Sequence, residues 1–411
     1  MVEMKKIVFT ALTLLFALAS CRHPEIQYVD FHNSSTFHPY SVKSADVAMP
    51  DGSLNPEVVL LDDGSEDTKI ASTPITSMAR DLLGVINCNR LIHIAGTFEG
   101  HDVDGTPLVQ SGKLLLPAEG PVKNIILVSH FTIGANSECP SEAFPLEGIV
   151  ASKGYAVAIA DYIGYGVTAH RIHPYMHTES TARSVVDMGL AVLPFLEEIG
   201  RKPESDEIIL MGYSQGGSTT MAVLDLIQDE YHDTFKVKQV YCGGGPYDLA
   251  ATFDVSMELD QTGIPSAIPM IVQGINEGEH LGLEMKDFFQ ERLLNNYQEW
   301  INSKKYPVKE INKLIGSSAL HEIMTPEGRD KNSPKTARLY KALLLNSTLY
   351  FIPHAPVYML HSTVDQTVPF QNALSAKAWF KGCDIHYDFD DYGKHGTACL
   401  KFIMKVASML P

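Results

Sequence analysis

The sequence predicts an α/β protein built on a mostly parallel, doubly wound sheet. From about residue 70, short apolar runs alternate with amphipathic stretches, which is the order of parallel strands joined by crossover helices. A Gly-x-Ser-x-Gly pentapeptide, Gly212–Gly216, stands between an apolar run and a helical pattern. A segment of roughly a hundred residues, 246–353, interrupts the alternation and is too long for a plain loop. These features predict one large sheet with helices on both faces and an inserted substructure.

The strands are predicted from short runs rich in Val, Ile and Leu. Several of these runs are apolar at both alternating positions, as strands buried on both faces require. They are Leu91–Phe98, Gly112–Leu116, Asn124–His130, Ala156–Asp161, Glu207–Met211, Gln239–Cys242, Val357–His361 and Ile385–Phe389.

The helices of the core are predicted from apolar residues at helical spacing. They are Thr178–Ile199, Ser218–Gln228, Gln371–Phe380 and Thr397–Met409. Pro194 lies inside the first, so we expect a kink or a break there.

The domain organisation follows from the interruption of the pattern. Residues 66–245 and 354–411 form the predicted core, and 246–353 form a largely helical cap or lid between the sixth and seventh predicted strands. Such a cap would lie over the C-terminal edge of the sheet, where open α/β sheets bind ligands. Its apolar residues either face substrate or form the cap's own core, the second being favoured; they are Met257, Met270, Ile275, Met285, Phe288 and Phe289. The expected cap helices are Leu283–Ile301 and Lys335–Leu345.

The N-terminus has the pattern of a secretory signal peptide over residues 1–20. Lys5 and Lys6 precede the apolar stretch Ile7–Ala19, and small residues follow. About 13 apolar residues are too few to span a bilayer comfortably. The sequence therefore predicts an exported protein.

Cys21 is the predicted site of lipid attachment. Leu18-Ala19-Ser20-Cys21 resembles a bacterial lipobox, which implies cleavage before Cys21 and a diacylglycerol on its sulfur. The alternative is an ordinary signal peptide with an incidental cysteine. With the anchor, the protein would be held on a bacterial membrane, in the periplasm or at the cell surface, with 21–65 as a tether and irregular N-terminal segment.

Charge and cysteine usage narrow the class of protein. The net charge is −17, which argues against nucleic acid as a partner because phosphate binding needs a basic surface. Apart from Cys21 the chain has five cysteines, whose spacing fits no zinc site. Cys383 and Cys399 flank the last predicted strand and are a plausible disulfide pair, although the sequence does not settle the pairing.

The pentapeptide Gly212-Tyr213-Ser214-Gln215-Gly216 predicts a serine nucleophile. In a strand–turn–helix context it is the nucleophile elbow of α/β-hydrolases, in which the serine occupies a sharp, strained turn. Gly212 and Gly216 have no Cβ atom, so they allow neighbouring backbone segments to approach this turn closely. The alternative is a chance match in an ordinary loop.

Two further residues complete a predicted catalytic triad. Serine needs a base, and the base needs an orienting acid, in the chain order Ser, Asp or Glu, His. Asp365 lies just past the predicted strand Val357–His361, and His395 lies between two glycines in a predicted loop before the last helix. We therefore expect Ser214 as nucleophile, His395 as base and Asp365 as the acid that fixes its tautomer.

The oxyanion hole is expected to use two backbone N–H groups. The first belongs to Gln215, directly after the nucleophile. The second lies in the loop after Asn124–His130, at Thr132 within one residue, so Phe131 is included. Phe131 stands where a glycine is common. No cofactor or metal is expected. Three histidines, His170, His173 and His177, lie close together in the sequence, but they have no acidic or thiolate partner at the spacing that a metal site requires.

These motifs resemble the secretory lipase, or fungal lipase A-like, family of α/β-hydrolases. The resemblance rests on four segments: Asn136–Ser141, Asp161–Gly166 with His173-Pro174-Tyr175, Gly212–Gly217, and Val357–Pro369 with His395-Gly396-Thr397. It covers roughly residues 70–411. It implies hydrolysis of a small-molecule carboxylic ester by Ser214, Asp365 and His395, and leaves the substrate open. The alternatives are a glycan esterase for acetyl or feruloyl groups, a serine peptidase, and a non-catalytic surface binding protein.

Overall fold

The structure, a computed structural model, describes residues 36–47 and 90–411. Its framework is one sheet of nine strands in the order β1-β2-β3-β5-β4-β6-β7-β8-β9. The strands are β1 Phe37–Asp46, β2 Arg90–His101, β3 Pro107–Pro117, β4 Ile125–Ser129, β5 Ala156–Ala160, β6 Glu207–Tyr213, β7 Lys236–Gly243, β8 Val357–Ser362 and β9 Ile385–Asp390. The first three pair antiparallel, β3 joins β5 antiparallel, and β4 to β9 run parallel. All eight strands predicted from the sequence are present.

The strand β1 corrects the prediction of an irregular N-terminal segment at 21–65. Nine of its ten residues pair with β2, from Phe37 opposite Phe98 to Asp46 opposite Arg90. The register shifts between Pro39 and Ser41, as suits an edge strand that contains a proline. The predicted signal peptide 1–20, Cys21 and Cys88 lie outside the described residues.

Helices cover both faces of the sheet, so the fold has three layers. One face packs on α1 Thr178–Glu198, α2 Gln215–Glu230 and α10 Gln371–Trp379. The other packs on the 3₁₀ helix Leu146–Lys153 and on α11 His395–Met409. Burial of the strands on both faces explains their continuous apolar runs. The helix α1 continues through Pro194, so the predicted break is absent; the proline lies near the C-terminal end, with four residues of helix beyond it.

The segment between β7 and β8 is helical and has its own apolar core. It contains α3 Leu249–Leu259, α4 Ala267–Gly278, α5 Glu291–Tyr297, α6 Val308–Ile315, α7 Leu320–Ile323, α8 Pro326–Arg329 and α9 Pro334–Leu345. The stretch predicted as one helix, Leu283–Ile301, is divided into a 3₁₀ turn, α5 and the π-helical turn Gln298–Asn302. Its core buries Met270, Ile275, Phe288 and Phe289, with Met257 and Met285 packed against them.

This segment, which we call the insertion, lies against loops that follow the C-terminal ends of the sheet strands. A Cβ added at Gly134, after β4, would lie 2.6 Å from the carbonyl oxygen of Tyr306. A Cβ at Gly274 would lie 2.2 Å from the backbone nitrogen of Tyr175. These close backbone approaches place the insertion over the edge of the sheet at which Ser214 stands.

The disulfide between Cys383 and Cys399 that the sequence suggested is not formed, because Cys383 is a free thiol. In the part of the chain that the structure describes, no helix is both long and apolar enough to cross a bilayer.

Candidate active site

Ser214 stands on the turn between β6 and α2. Its backbone has φ 58° and ψ −125°, a strained conformation for a residue with a side chain. The turn is possible because glycines flank it: a Cβ at Gly216 would lie 1.9 Å from the carbonyl oxygen of Ser129, and one at Gly212 would lie 2.3 Å from that of Gly216. The geometry is that of a nucleophile elbow at the C-terminal end of a parallel strand.

Ser214, His395 and Asp365 form a continuous hydrogen-bonded chain. The Nε2 atom of His395 is 2.8 Å from the Oγ atom of Ser214. The Nδ1 atom of the same ring is 2.6 Å from the Oδ2 atom of Asp365. With the proton on Nδ1, the ring donates to Asp365 and its Nε2 accepts from the serine hydroxyl. The three elements that carry these residues are far apart in the chain, and the parallel sheet brings them to one edge.

Asp365 is buried and held as a carboxylate. Its side chain is 0% exposed, and its Oδ1 atom accepts the N–H groups of Thr367 and Val368 at 2.9 and 3.0 Å. Burial raises the pKa of this acid, but the charge and hydrogen bond of His395, the charge of His361 and the hydrogen bond from Val368 together outweigh burial and hold the pKa below its ordinary value. Asp365 is therefore ionised at neutral pH and oriented toward the imidazole.

The position of His395 differs from the expected loop. It is the first residue of α11, with Lys394 before it. His361, at the end of β8, is fully buried, and its Nε2–H donates to the carbonyl of Val368 at 3.1 Å. That ring lies 3.9 Å from the Oδ2 atom of Asp365, so it packs behind the acid rather than beside the serine.

The structure distinguishes among the three predicted oxyanion residues. Gln215 is the first residue of α2, so no helical carbonyl lies behind it to accept its N–H. The N–H of Thr132 makes no hydrogen bond within residues 36–47 and 90–411, while its hydroxyl bonds to Tyr175 at 2.7 Å. The N–H of Phe131 instead donates to the Oε1 atom of Glu147 at 3.1 Å. Phe131 is thus already bonded, which leaves Gln215 and Thr132 as the candidate donors.

A buried histidine supports the loop beside the nucleophile. His173 is 4% exposed, and its Nδ1–H donates to the carbonyl of Ile163 at 2.6 Å. Its Nε2 atom therefore accepts from the side-chain amide of Gln215, 3.2 Å away. Burial, followed by the charge of Lys304, lowers the pKa of His173 well below its usual value, so the ring is neutral. The sequence placed this histidine in the family motif but did not indicate its contact with Gln215.

Glu147 is a buried acid that the sequence did not single out. It is 0% exposed, and its Oε2 atom has no hydrogen-bond partner in the described part of the chain. Burial raises the pKa of Glu147 to about 7. Glu147 holds the backbone N–H of Phe131, next to Thr132. Ionisation of this buried acid is unfavourable and lowers the stability of the folded chain.

Replacing Glu147 with glutamine is expected to stabilise the protein more at pH 8 than at pH 5. Because the pKa is higher in the folded than in the unfolded chain, the folded state binds more protons between these values, and wild-type stability falls as pH rises. A shift from an ordinary 4.5 to about 7 predicts that the advantage of Glu147→Gln grows by roughly 2–3 kcal/mol across this range. Urea unfolding at both pH values measures it. Glu142→Gln, which removes an exposed acid of the same loop region, is the control; an advantage independent of pH would contradict the expectation.

Solved structures resemble this chain over most of its length. A Legionella pneumophila protein named as a candidate hydrolase is 22% identical with a TM-score of 0.72, covering 82% of this chain and 94% of its own. The rice cell wall degrading esterase LipA of Xanthomonas oryzae is 22% identical with a TM-score of 0.67, covering 82% and 92%. Candida antarctica lipase A is 14% identical with a TM-score of 0.56, covering 74% and 73%. At these identities the likeness concerns the fold, and it confirms the predicted α/β-hydrolase architecture.

Comparison at the level of sequence gives two further results. No curated protein matches the chain significantly. The family model described as secretory lipase matches residues 146–402.

Proposed function

Because the chain belongs to the secretory lipase family and is therefore a hydrolase acting on esters, we propose that it works through a covalent acyl-enzyme on Ser214. The observation that carries the proposal is the hydrogen-bonded chain from Ser214 through His395 to Asp365. A serine hydroxyl is a weak nucleophile by itself, and this chain supplies the base and the acid that it requires.

In the proposed first half-reaction, the Oγ atom of Ser214 attacks the ester carbonyl while the Nε2 atom of His395 takes its proton. The carbonyl oxygen becomes an oxyanion and accepts from the N–H of Gln215 and the N–H of Thr132. His395 then gives the proton to the departing alcohol oxygen, the carbon–oxygen bond breaks, and the acyl group stays on Ser214. Asp365 keeps the ring in the required tautomer and stabilises the imidazolium.

In the second half-reaction, water replaces the alcohol. His395 takes a proton from the water as it attacks the acyl carbon, and returns it to the Oγ atom of Ser214 when the acid leaves. The sum is ester plus water to acid plus alcohol, and no cofactor enters it.

We also propose that the insertion, residues 246–353, acts as the cap of this site, over the core that carries the nine-stranded sheet. Its contacts with the loops that carry Gly134 and Tyr175 support this role. So does Gly263, at which a Cβ would lie 2.4 Å from the carbonyl oxygen of Gln366, the residue after the triad acid. A cap in this place would shape the acyl and alcohol subsites and exclude water from them.

The experiment that tests the function measures turnover of p-nitrophenyl esters from acetate to palmitate, with intact mass after treatment with a fluorophosphonate. We expect turnover and a single covalent adduct on Ser214. An optimum at long chains would indicate a lipase, and an optimum at acetate a small-ester or glycan esterase. No turnover of any ester and no adduct would refute the proposal, leaving peptides as substrates or a binding role.

We propose further that the mature protein is exported and carried by a lipid on Cys21. Membership of a secretory family favours export, and the lipobox-like Leu18–Cys21 supports the anchor. In bacteria expressing the full chain and fed an alkyne-labelled fatty acid, we expect label on the wild type and on Cys88→Ala, and none on Cys21→Ala. Label that persists on Cys21→Ala would exclude this cysteine as the attachment site.

A further inference from the structure

Lys304 is a buried lysine of the insertion. It lies between the π-helical turn Gln298–Asn302 and α6, and only 5% of its surface is exposed. Its backbone has φ 55°, in the left-handed region. Residues with side chains seldom adopt this conformation, and those that do are concentrated at functional sites.

The ammonium group of Lys304 has no anionic partner. No hydrogen bond or ion pair joins its Nζ atom to any residue of 36–47 or 90–411; its contact is with the ring of Tyr165, whose centroid is 4.8 Å away. The next residue, Lys305, is exposed and pairs with Glu299 at 2.9 Å. Burying an unpaired cation is unfavourable unless an anion joins it. Within the residues that the structure describes, Lys304 is thus buried without an anion, whereas Lys305 is exposed and paired. Because burial of an unpaired cation lowers the stability of the fold, a stabilising role does not account for Lys304.

The surroundings of Lys304 belong to the oxyanion region. Its carbonyl oxygen accepts the N–H of Asn136 at 2.8 Å, in the loop that carries Thr132. The hydroxyl of Tyr165, over whose ring the ammonium sits, donates to the carbonyl of Ile133 at 2.7 Å. The ring of Tyr165 also lies 5.0 Å from that of His173, the partner of Gln215. The unpaired cation is thus packed among the residues that hold both candidate oxyanion donors.

We propose that Lys304 binds a carboxylate of the substrate, so that this site takes esters whose acid or alcohol part carries a negative charge. The inference rests on the serine esterase activity proposed above and specifies its substrate class. A cation shielded from water attracts such a group more strongly than a surface lysine does, because solvent and salt screen it less. The chain is acidic as a whole, with a net charge of −17, so the preference would arise locally.

Two pairs of esters that differ by one charge test the proposal. In the first pair the acid part is charged: p-nitrophenyl hydrogen adipate against p-nitrophenyl methyl adipate, whose chain is too long for the carboxylate to attack its own ester through a five- or six-membered ring. In the second the alcohol part is charged: 4-acetoxybenzoate against methyl 4-acetoxybenzoate, measured by release of the phenol. Each kcat/KM is divided by the uncatalysed rate of the same ester, so that intrinsic reactivity cancels.

The wild type is expected to prefer the charged member of at least one pair by tenfold or more. Lys304→Met, which keeps the volume and removes the charge, should abolish that preference mainly through KM, with a loss at least tenfold larger on the charged member than on the neutral one. Lys304→Arg should retain part of the preference. Lys305→Met is the matched control, and it should retain all of it.

Three results separate the possible failures. A wild type without preference in either pair overturns the inference, whether or not any variant folds. An equal loss on charged and neutral esters in Lys304→Met also overturns it, because the lysine would then support the reaction generally. Absence of Ser214-dependent turnover with all four esters refutes the proposed function itself.

Discussion

Replacement of Ser214 by alanine is expected to lower kcat on p-nitrophenyl butyrate by about 10⁵–10⁶-fold. The variant keeps the oxyanion donors and the imidazole but has no oxygen to form the acyl-enzyme. The residual rate would come from water attacking an ester bound beside the oxyanion hole. Stopped assays at high enzyme concentration measure it, and the fluorophosphonate adduct should disappear at the same time.

The control for this change is Ser218→Ala. Ser218 is also buried and lies one turn further along α2, where its Oγ–H donates to the carbonyl of Gln215 at 2.9 Å. The same chemical change there removes a helical side-chain hydrogen bond and leaves the nucleophile, so kcat should stay within about tenfold. A Ser214→Ala enzyme that is folded by circular dichroism and still within tenfold of wild type would mean that another group is the nucleophile.

The second large effect is expected for Asp365→Asn, with a fall in kcat of about 10⁴-fold at pH 7 and little change in KM. The N–H groups of Thr367 and Val368 both point at the Oδ1 position, so the amide oxygen of the asparagine must take that place. Its NH₂ group then faces the Nδ1 atom of His395. The ring is forced to carry its proton on Nε2, where it can no longer accept from Ser214.

Asp384→Asn is the matched control for that change. Asp384 precedes β9 and is exposed, and its Oδ1 atom lies 3.4 Å from the Nε2 atom of His386. We expect wild-type turnover for this variant. If instead Asp365→Asn stays within tenfold of wild type and Asp384→Asn does not, the assignment of the acid is wrong.

The core of the fold was predictable from the sequence because its strands are buried on both faces. Every residue of β4, Ile125–Ser129, and of β5, Ala156–Ala160, is buried. Short runs of adjacent apolar residues such as these are typical of strands that are covered on both faces of a parallel sheet. The edge strand β1 carries no such signal. Its residues, Phe37–Asp46, include serine, proline and charged side chains, and its partner β2 begins more than forty residues later. Long-range pairing of this kind depends on the sheet already being in place.

The candidate triad was predictable for a different reason, since chain order and strand ends place each member. Ser214 is marked by its glycines, and Asp365 and His395 by their positions after strands. Glu147 and Lys304 have no local signal. Their neighbours, Phe131 and Tyr165, come from other segments, and their importance lies in burial that only the packed chain creates.

The contact between the insertion and the loop after β4 has a consequence for the modularity of this protein. Two residues of the insertion contact this loop. The carbonyl oxygen of Lys304 accepts the N–H of Asn136, and the carbonyl oxygen of Tyr306 packs closely against Gly134. Those two loop residues stand immediately beyond Thr132. The insertion is therefore not a part that can be exchanged freely between relatives to change substrate range. A chimera that swaps it would need to keep residues 304–308 together with the loop they touch, and a library built to alter specificity should place its crossover points outside that pair of segments.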